Sequence, residues 1–108
     1  MITHKELEEY LLGLGKDNHL DYPFGEGVAV YKAGAKMFAI IAEGSHPLRV
    51  SLKCDPILAQ KLREEYETVL PGYHLNKKHW NTIVCSGQLS DAEIKDLARH
   101  SYQLVTGN

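Results

Sequence analysis

The sequence predicts an α+β domain, an antiparallel sheet with helices packed on one face, in the order α-βββ-α-ββ-α. Two observations carry the helices. Thr3–Glu6 and Ser90–Glu93 both have the Ser/Thr-x-x-Glu spacing of a capping box, and each precedes apolar residues at helical spacing. A third observation carries the sheet: consecutive strand-sized apolar runs are separated by short Gly- or Pro-containing breaks. Strands joined this tightly pair antiparallel, and such a sheet closes a core only when helices cover one of its faces. The 108 residues are expected to form a single domain, residues 1–108, around one core.

The first helix starts at Thr3, carries Leu7, Tyr10, Leu11 and Leu14 on one face, and ends near Gly13 and Gly15. Lys16 to Gly27, with its Asp-Tyr-Pro-Phe-Gly run, reads as an irregular connection. Val28 to Lys32 is the first predicted strand, and Ala33 to Lys36 a hairpin loop. Met37 to Glu43 is apolar on both faces and so belongs in the middle of the sheet. After the turn at Gly44–Pro47, Leu48 to Lys53 alternates: Leu48, Val50 and Leu52 on one side, Arg49, Ser51 and Lys53 on the other. Asp55-Pro56 is a cap followed by a first-turn proline. Leu58, Leu62, Tyr66 and Val69 make the stripe of the second helix, which the Leu70–Tyr73 segment breaks. A fourth strand is expected around Gly72 to Leu75 and a fifth from His79 to Cys85. The final helix follows Ser90, with Ile94, Leu97, Ala98, Ser101, Leu104 and Val105 on its apolar side.

Charge narrows the function. Twelve Lys+Arg face 14 Asp+Glu, a formal net charge of -2, so nucleic-acid affinity has to come from a local patch and not from the field of the whole protein. The N-terminus enters the first helix without a hydrophobic signal core, and the longest apolar run, Met37 to Ala42, is strand-sized. Cys54 and Cys85 are far apart and outside any C-x-x-C pattern, which predicts reduced, buried thiols. The expectation is a cytoplasmic monomer with no membrane segment.

Chemistry-bearing motifs are sparse. The six histidines form no compact ligand pair, and His74 and His79 sit across a predicted turn with no cysteine nearby, so neither a metal nor a cofactor is expected. The serines lack a nucleophile-elbow context, and Ser90 is accounted for as a cap. Gly13-Leu14-Gly15 and Gly25-Glu26-Gly27 lack the strand–loop–helix order of a phosphate cradle. A non-enzymatic protein is expected. What remains is the basic set. Arg49 and Lys53 share the polar side of one strand; Lys77 and Lys78 occupy the turn before the last, flanked by Asn76, His79, Trp80 and Asn81. Lysines in such a turn can contact phosphates, with the amides supplying hydrogen bonds. The same residues also suit a solubilising hairpin tip, with Trp80 as a part-buried anchor.

Three stretches resemble the MmcQ/YjbR family of small bacterial proteins. They are Tyr22-Pro23-Phe24-Gly25 with Val30-Tyr31-Lys32 and Gly34–Ala39; Pro71 to Thr82, whose Asn-Lys-Lys-His-Trp-Asn run is the most specific part; and His100 to Val105. The resemblance implies a "double wing" α+β fold similar to frataxin-type and secretion-chaperone-type domains. It also implies DNA binding, with Asn76, Lys77, Lys78, His79, Trp80 and Asn81 at the functional centre; Arg49 and Lys53, singled out by the charge pattern and not by the resemblance, are expected to add phosphate contacts. The alternative reading is a protein- or small-ligand-binding module of the secretion-chaperone type. In that reading the partner is received by the open sheet face, or by a pocket beside Tyr22, Phe24, Tyr73 and Trp80.

Overall fold

The computed structural model describes residues 1–107. Helix α1 (His4–Gly13) begins at Thr3, whose Oγ1 accepts the Glu6 N–H at 3.1 Å. The Glu6 carboxylate closes onto the Thr3 hydroxyl instead of the Thr3 backbone N–H, so only half of the expected box is made through the backbone. Helix α3 (Asp91–Thr106) has both halves: Glu93 N–H donates to Ser90 Oγ at 3.1 Å, and Ser90 N–H donates to Glu93 Oε1 at 2.9 Å. It ends on Gly107 at φ 76°, the left-handed cap that glycine adopts without a side-chain clash. Helix α2 (Pro56–Glu65) is capped by Asp55, which accepts from the Ile57 and Leu58 N–H groups.

The strands are β1 (Asn18–Asp21), β2 (Val28–Ala33), β3 (Lys36–Ala42), β4 (Leu48–Lys53), β5 (Val69–Pro71) and β6 (Trp80–Cys85). They form one antiparallel sheet in the order β1-β2-β3-β4-β6-β5. The α+β class holds, and the expected order holds with one strand added ahead of the first predicted one; β3 and β4 lie at the centre. Two local expectations are corrected. The connection after α1 contains a strand, β1, paired with β2 from Asn18↔Ala33 to Asp21↔Val30; its alternation of half-buried and exposed residues over four positions is too short to stand out from a loop. The fourth predicted strand lies earlier than Gly72–Leu75, at Val69–Pro71. Helix α2 stops at Glu65, and Tyr66 is already extended at φ -124° and ψ 123°, so Val69 extends a strand and not a helix stripe.

The core lies between the helices and one sheet face. Ala29, Tyr31, Ala39, Ile41, Val50, Leu52 and Ile83 point into it and meet Leu7 and Leu11 of α1 and Ile94, Ala98 and Val105 of α3. A bulge in β3 sends both Phe38 and Ala39 inward, since Tyr31 pairs Ala39 while Lys32 pairs Met37. Phe38 then meets Tyr102 edge-on at 5.4 Å, and its carbonyl accepts from the Ser101 hydroxyl. Ser101 Oγ also accepts the Lys53 N–H at 2.9 Å. One serine of α3 therefore holds the end of β4 and the bulge of β3 together.

Candidate binding groove and basic turn

With the helices on one side, the alternate residues of each strand face the other way. Across the ladder they form two rows. Val28, Ala42, Arg49 and Val84 make the first; Val30, Ile40, Ser51, Thr82 and Leu70 make the second. Most of these side chains are apolar, although no helix among the described residues covers them. Two loop segments rise beside them and leave a groove of about 540 Å³, lined by Phe24, Val28, Ile40, Ala42, Arg49, Ser51, Tyr73, His74, Leu75 and Thr82.

The first wall is the segment after β1. Asp21 Oδ1 accepts the Tyr22 N–H at 2.8 Å and the other oxygen holds Lys32 Nζ at 3.0 Å; these bonds keep the Asp21 carboxyl below its ordinary pKa. The Tyr22 hydroxyl donates to Glu43 at 2.8 Å, which raises the pKa of the phenol and ties the segment to the end of β3. Gly25 turns the chain at φ 106°. Phe24, left between these fixed points, is 61% exposed.

The second wall follows β5. Gly72 N–H donates to the Trp80 carbonyl at 2.9 Å and Tyr73 N–H to Thr82 Oγ1 at 3.2 Å, which lays the loop against β6. A Cβ on Gly72 would stand 2.7 Å from Trp80 Cβ and 3.0 Å from its carbonyl oxygen, so the close approach requires glycine. His74 takes a left-handed conformation, φ 56°, and its ring lies 4.0 Å from that of Tyr73, which is 75% exposed.

The floor carries one polar pair. Ser51 Oγ and Thr82 Oγ1 lie 2.8 Å apart, both buried. Arg49 is exposed at the rim, and among the described residues its guanidinium makes no ion pair or hydrogen bond.

The basic residues singled out in the sequence are divided. Lys53 is paired with Trp80, and the next residue, Cys54, donates its N–H to the His79 carbonyl at 2.8 Å; Lys53 and the Lys77–His79 turn thus share one end of the sheet. Arg49 lies four residues up β4, roughly 13 Å away along a strand, and belongs to the groove. Lys77 and Lys78 are exposed. Asn76 is occupied in shaping the turn, its Oδ1 accepting the Lys78 N–H at 3.0 Å and its carbonyl the His79 N–H at 3.1 Å. Trp80 is buried beneath Gly72. Asn81 is 2% exposed and faces α2: its Nδ2 donates to the Ala59 carbonyl at 3.2 Å, and its Oδ1 accepts from Arg63 at 3.2 Å. The same Arg63 nitrogen donates to the Lys77 carbonyl at 2.7 Å. Of the aromatic residues expected to flank a pocket, Phe24 and Tyr73 line the groove, Tyr22 braces its wall and Trp80 supports the loop from below.

Both cysteines are buried and free, and burial pushes each thiol up to about 11, well away from a nucleophilic thiolate at neutral pH. Among the described residues, no cluster of three His, Cys, Asp or Glu side chains is arranged to hold a metal ion, and no helix is long and apolar enough to cross a membrane.

Comparison with known proteins agrees with this architecture. The profile of the YjbR family matches residues 16–104. The uncharacterised protein YbdF of Escherichia coli O157:H7 is 36% identical over 86 residues, covering 80% of this chain and 70% of that protein. The uncharacterised protein YjbR of Escherichia coli K12 is 43% identical over 67 residues, 62% of this chain and 57% of that protein, so the match spans little more than half of YjbR. The crystal structure of Deinococcus radiodurans protein DR2400 superposes with a TM-score of 0.92 at 36% identity, covering 98% of this chain and 80% of that one. A Pseudomonas syringae protein gives a TM-score of 0.79 at 28% identity, covering 95% and 98%. On the profile match and on the shared fold, this chain belongs to the YjbR family.

Proposed function

We propose that this protein is a non-enzymatic binding module whose site is the groove on the uncovered sheet face. One observation carries the reading: a concavity of about 540 Å³ with an apolar floor, walled by Phe24 on one side and Tyr73 and His74 on the other. Pockets that hold small ligands have this size and this mixture of apolar surface with a few polar groups. An uncovered apolar face flanked by exposed rings loses free energy in water that a ligand recovers. The neutral fluorophore N-phenyl-1-naphthylamine tests the reading. The folded protein is expected to enhance its emission with saturation at one equivalent, and Ala42→Trp, which fills the floor from an exposed position, to abolish the enhancement. No enhancement, or the same enhancement in Ala42→Trp, rejects the groove.

DNA binding is the second reading, implied by the family resemblance and favoured by one specific feature. Lys53, Lys77 and Lys78 lie at one end of the sheet, and among the described residues none of them is in an ion pair. Lys77 and Lys78 are the residues proposed to touch phosphate, Asn76 and His79 to shape the turn that presents them, and Trp80 and Asn81 to anchor it. Against a net charge of -2, the affinity expected is low and strongly salt-dependent. Anisotropy titration of labelled duplex DNA at several salt concentrations measures it, and absence of binding at low salt removes this reading.

A further inference from the structure

We infer that the ligand of the groove is a small amphipathic monocarboxylate, held through its carboxylate by Arg49 and the Ser51/Thr82 hydroxyl pair, with its apolar body on Ile40, Ala42 and Val28. The inference rests on the groove reading above and adds the chemical class of the occupant.

The first argument is a count of protons. Ser51 and Thr82 together carry two hydroxyl protons. Their mutual contact at 2.8 Å uses one of them, whichever oxygen donates. The Tyr73 N–H, 3.2 Å from Thr82 Oγ1, adds a donor to the pair and takes up an acceptor site. No other acceptor for these hydroxyls is found among the described residues, so one O–H on the floor is left to donate outward. Neither residue has an alternative route to water through the core, since both side chains are buried on the groove side of the sheet.

The second argument is charge. Arg49 sits two residues before Ser51 on the same face of β4, about 7 Å along the strand and within reach of a long side chain. Its guanidinium has no carboxylate partner among the described residues, and no Asp or Glu lines the groove. The His74 ring and the Tyr73 phenol on the wall can donate or accept, whereas Arg49 and the free hydroxyl of the floor are donors without a partner among the described residues; the component that completes them is an acceptor with negative charge. A carboxylate accepts a guanidinium fork with two parallel bonds and still has lone pairs for a hydroxyl. One permanent cation matches one negative charge; a phosphate dianion calls for a second, and the lining holds none. The remaining lining is hydrocarbon and ring surface, which selects an alkyl or aryl body over a sugar or a peptide backbone with its own donors to satisfy.

The test is a titration of 15N-labelled protein with octanoate, octan-1-ol and octylammonium, following the amide resonances of Ile40, Ala42, Ser51 and Thr82. Octanoate is expected to bind at least about tenfold more tightly than octan-1-ol, the range of a charge-assisted hydrogen bond pair. Arg49→Gln is expected to weaken octanoate by about tenfold or more and octan-1-ol by a much smaller factor; Arg49 is exposed, and a dispersed spectrum reports that the variant is folded. Ser51→Ala is expected to weaken octanoate by a smaller factor. Equal affinities for the three probes, a preference for octylammonium, or an Arg49→Gln variant that binds octanoate like the parent each overturns the carboxylate assignment while the groove stands. Groove resonances that respond to none of the probes overturn the assignment and the groove reading together.

Discussion

Arg63 of α2 reaches Asn81 of β6, with Nη1 3.2 Å from Oδ1. The asparagine is 2% exposed, and its amide nitrogen donates to the Ala59 carbonyl at 3.2 Å. With both ends engaged by α2 and almost no surface exposed, this carboxamide serves as an anchor between β6 and α2. The contact also explains how a polar residue is tolerated on the helix-facing side of the sheet, in register with Leu52.

Asn81→Ala is expected to lower stability by about 1–3 kcal/mol, because it removes two hydrogen bonds from a buried site, each contributing about 0.5–1.5 kcal/mol, while Arg63 keeps its bond to the Lys77 carbonyl. Urea unfolding measures the loss as a shift of the midpoint at constant slope. Arg63→Ala is expected to cost a similar amount and, in addition, to loosen the turn at Lys77, whose carbonyl it holds at 2.7 Å. Increased amide exchange at His79 and Trp80 is the readout of that loosening.

If the basic turn does contact DNA, Lys77→Ala with Lys78→Ala removes two phosphate contacts and is expected to flatten the plot of log affinity against log salt by about 1.8, at 0.9 for each contact. Stability is expected to stay within about 0.5 kcal/mol of the parent, since both lysines are exposed and unpaired among the described residues. Arg49→Gln, at the far end of β4, is expected to leave the salt slope unchanged and so separates the turn from the groove.

The fold was legible because its signals are local. Thr3, Asp55 and Ser90 announce three helices, and the alternation from Leu48 to Lys53 fixes which side of β4 enters the core. The misplaced elements are those held by pairing and not by pattern: β1 has four residues and β5 three, and each exists as the edge of a ladder. The groove was only half legible. Exposed rings at Phe24 and Tyr73 follow from their irregular segments, but their convergence depends on the glycine at position 72 and on the Tyr73–Thr82 bond. The sequence does carry one signal for the floor. Met37 to Glu43, apolar on both faces, indicated a central strand; on a sheet with helices on one side, it also means an apolar open face at Ile40 and Ala42. Period-2 alternation places Asn81 on the Ile83 side of the predicted strand, but its partners carry no signal, since Ala59 and Arg63 are 22 and 18 residues away in sequence.

Gly72→Ala is expected to destabilise the protein by about 1–3 kcal/mol, the range for overpacking a fitted contact. The neighbours at 2.7 Å and 3.0 Å are the Cβ and carbonyl of Trp80, on the strand itself, and cannot turn aside as the end of a long side chain would. The loop has to lift. Binding of the neutral fluorophore is then expected to weaken together with stability, whereas Gly13→Ala, where a Cβ meets nothing within 4 Å, is expected to leave both intact.

The cap of α3 gives the protein an acid-sensitive element. Bonds from the Ser90 backbone and side chain hold the Glu93 carboxyl below its ordinary value of 4.5. A carboxylate favoured in the folded state contributes stability above that value and loses it as pH falls through the lower folded value. Glu93→Ala is expected to be less stable than the parent at pH 7, with the gap closing below about pH 4.5. Ser90→Ala, which removes the N-cap acceptor itself, is expected to cost about 1 kcal/mol.

The thiols contribute to the loss of stability at alkaline pH. Burial comes first among the causes that raise Cys54 and Cys85 from 9.0 to about 11, with Asp55 and Asp91 adding to it. For an acid whose folded value is raised, the unfolded chain ionises first. The stability associated with the neutral buried thiols is therefore complete below pH 9 and is lost as pH rises towards 11. Unfolding midpoints are expected to be flat with respect to these groups up to pH 8 and to fall above pH 9, and Cys54→Ala with Cys85→Ala to reduce the slope of that fall. The same burial predicts reactivity. At pH 8 the folded protein is expected to react with iodoacetamide much more slowly than the urea-unfolded chain, for two reasons: few thiolates exist at a value near 11, and both sulfurs are buried, with Cys54 and Cys85 each 4% exposed. Equal rates in the folded and unfolded protein contradict the placement of these side chains.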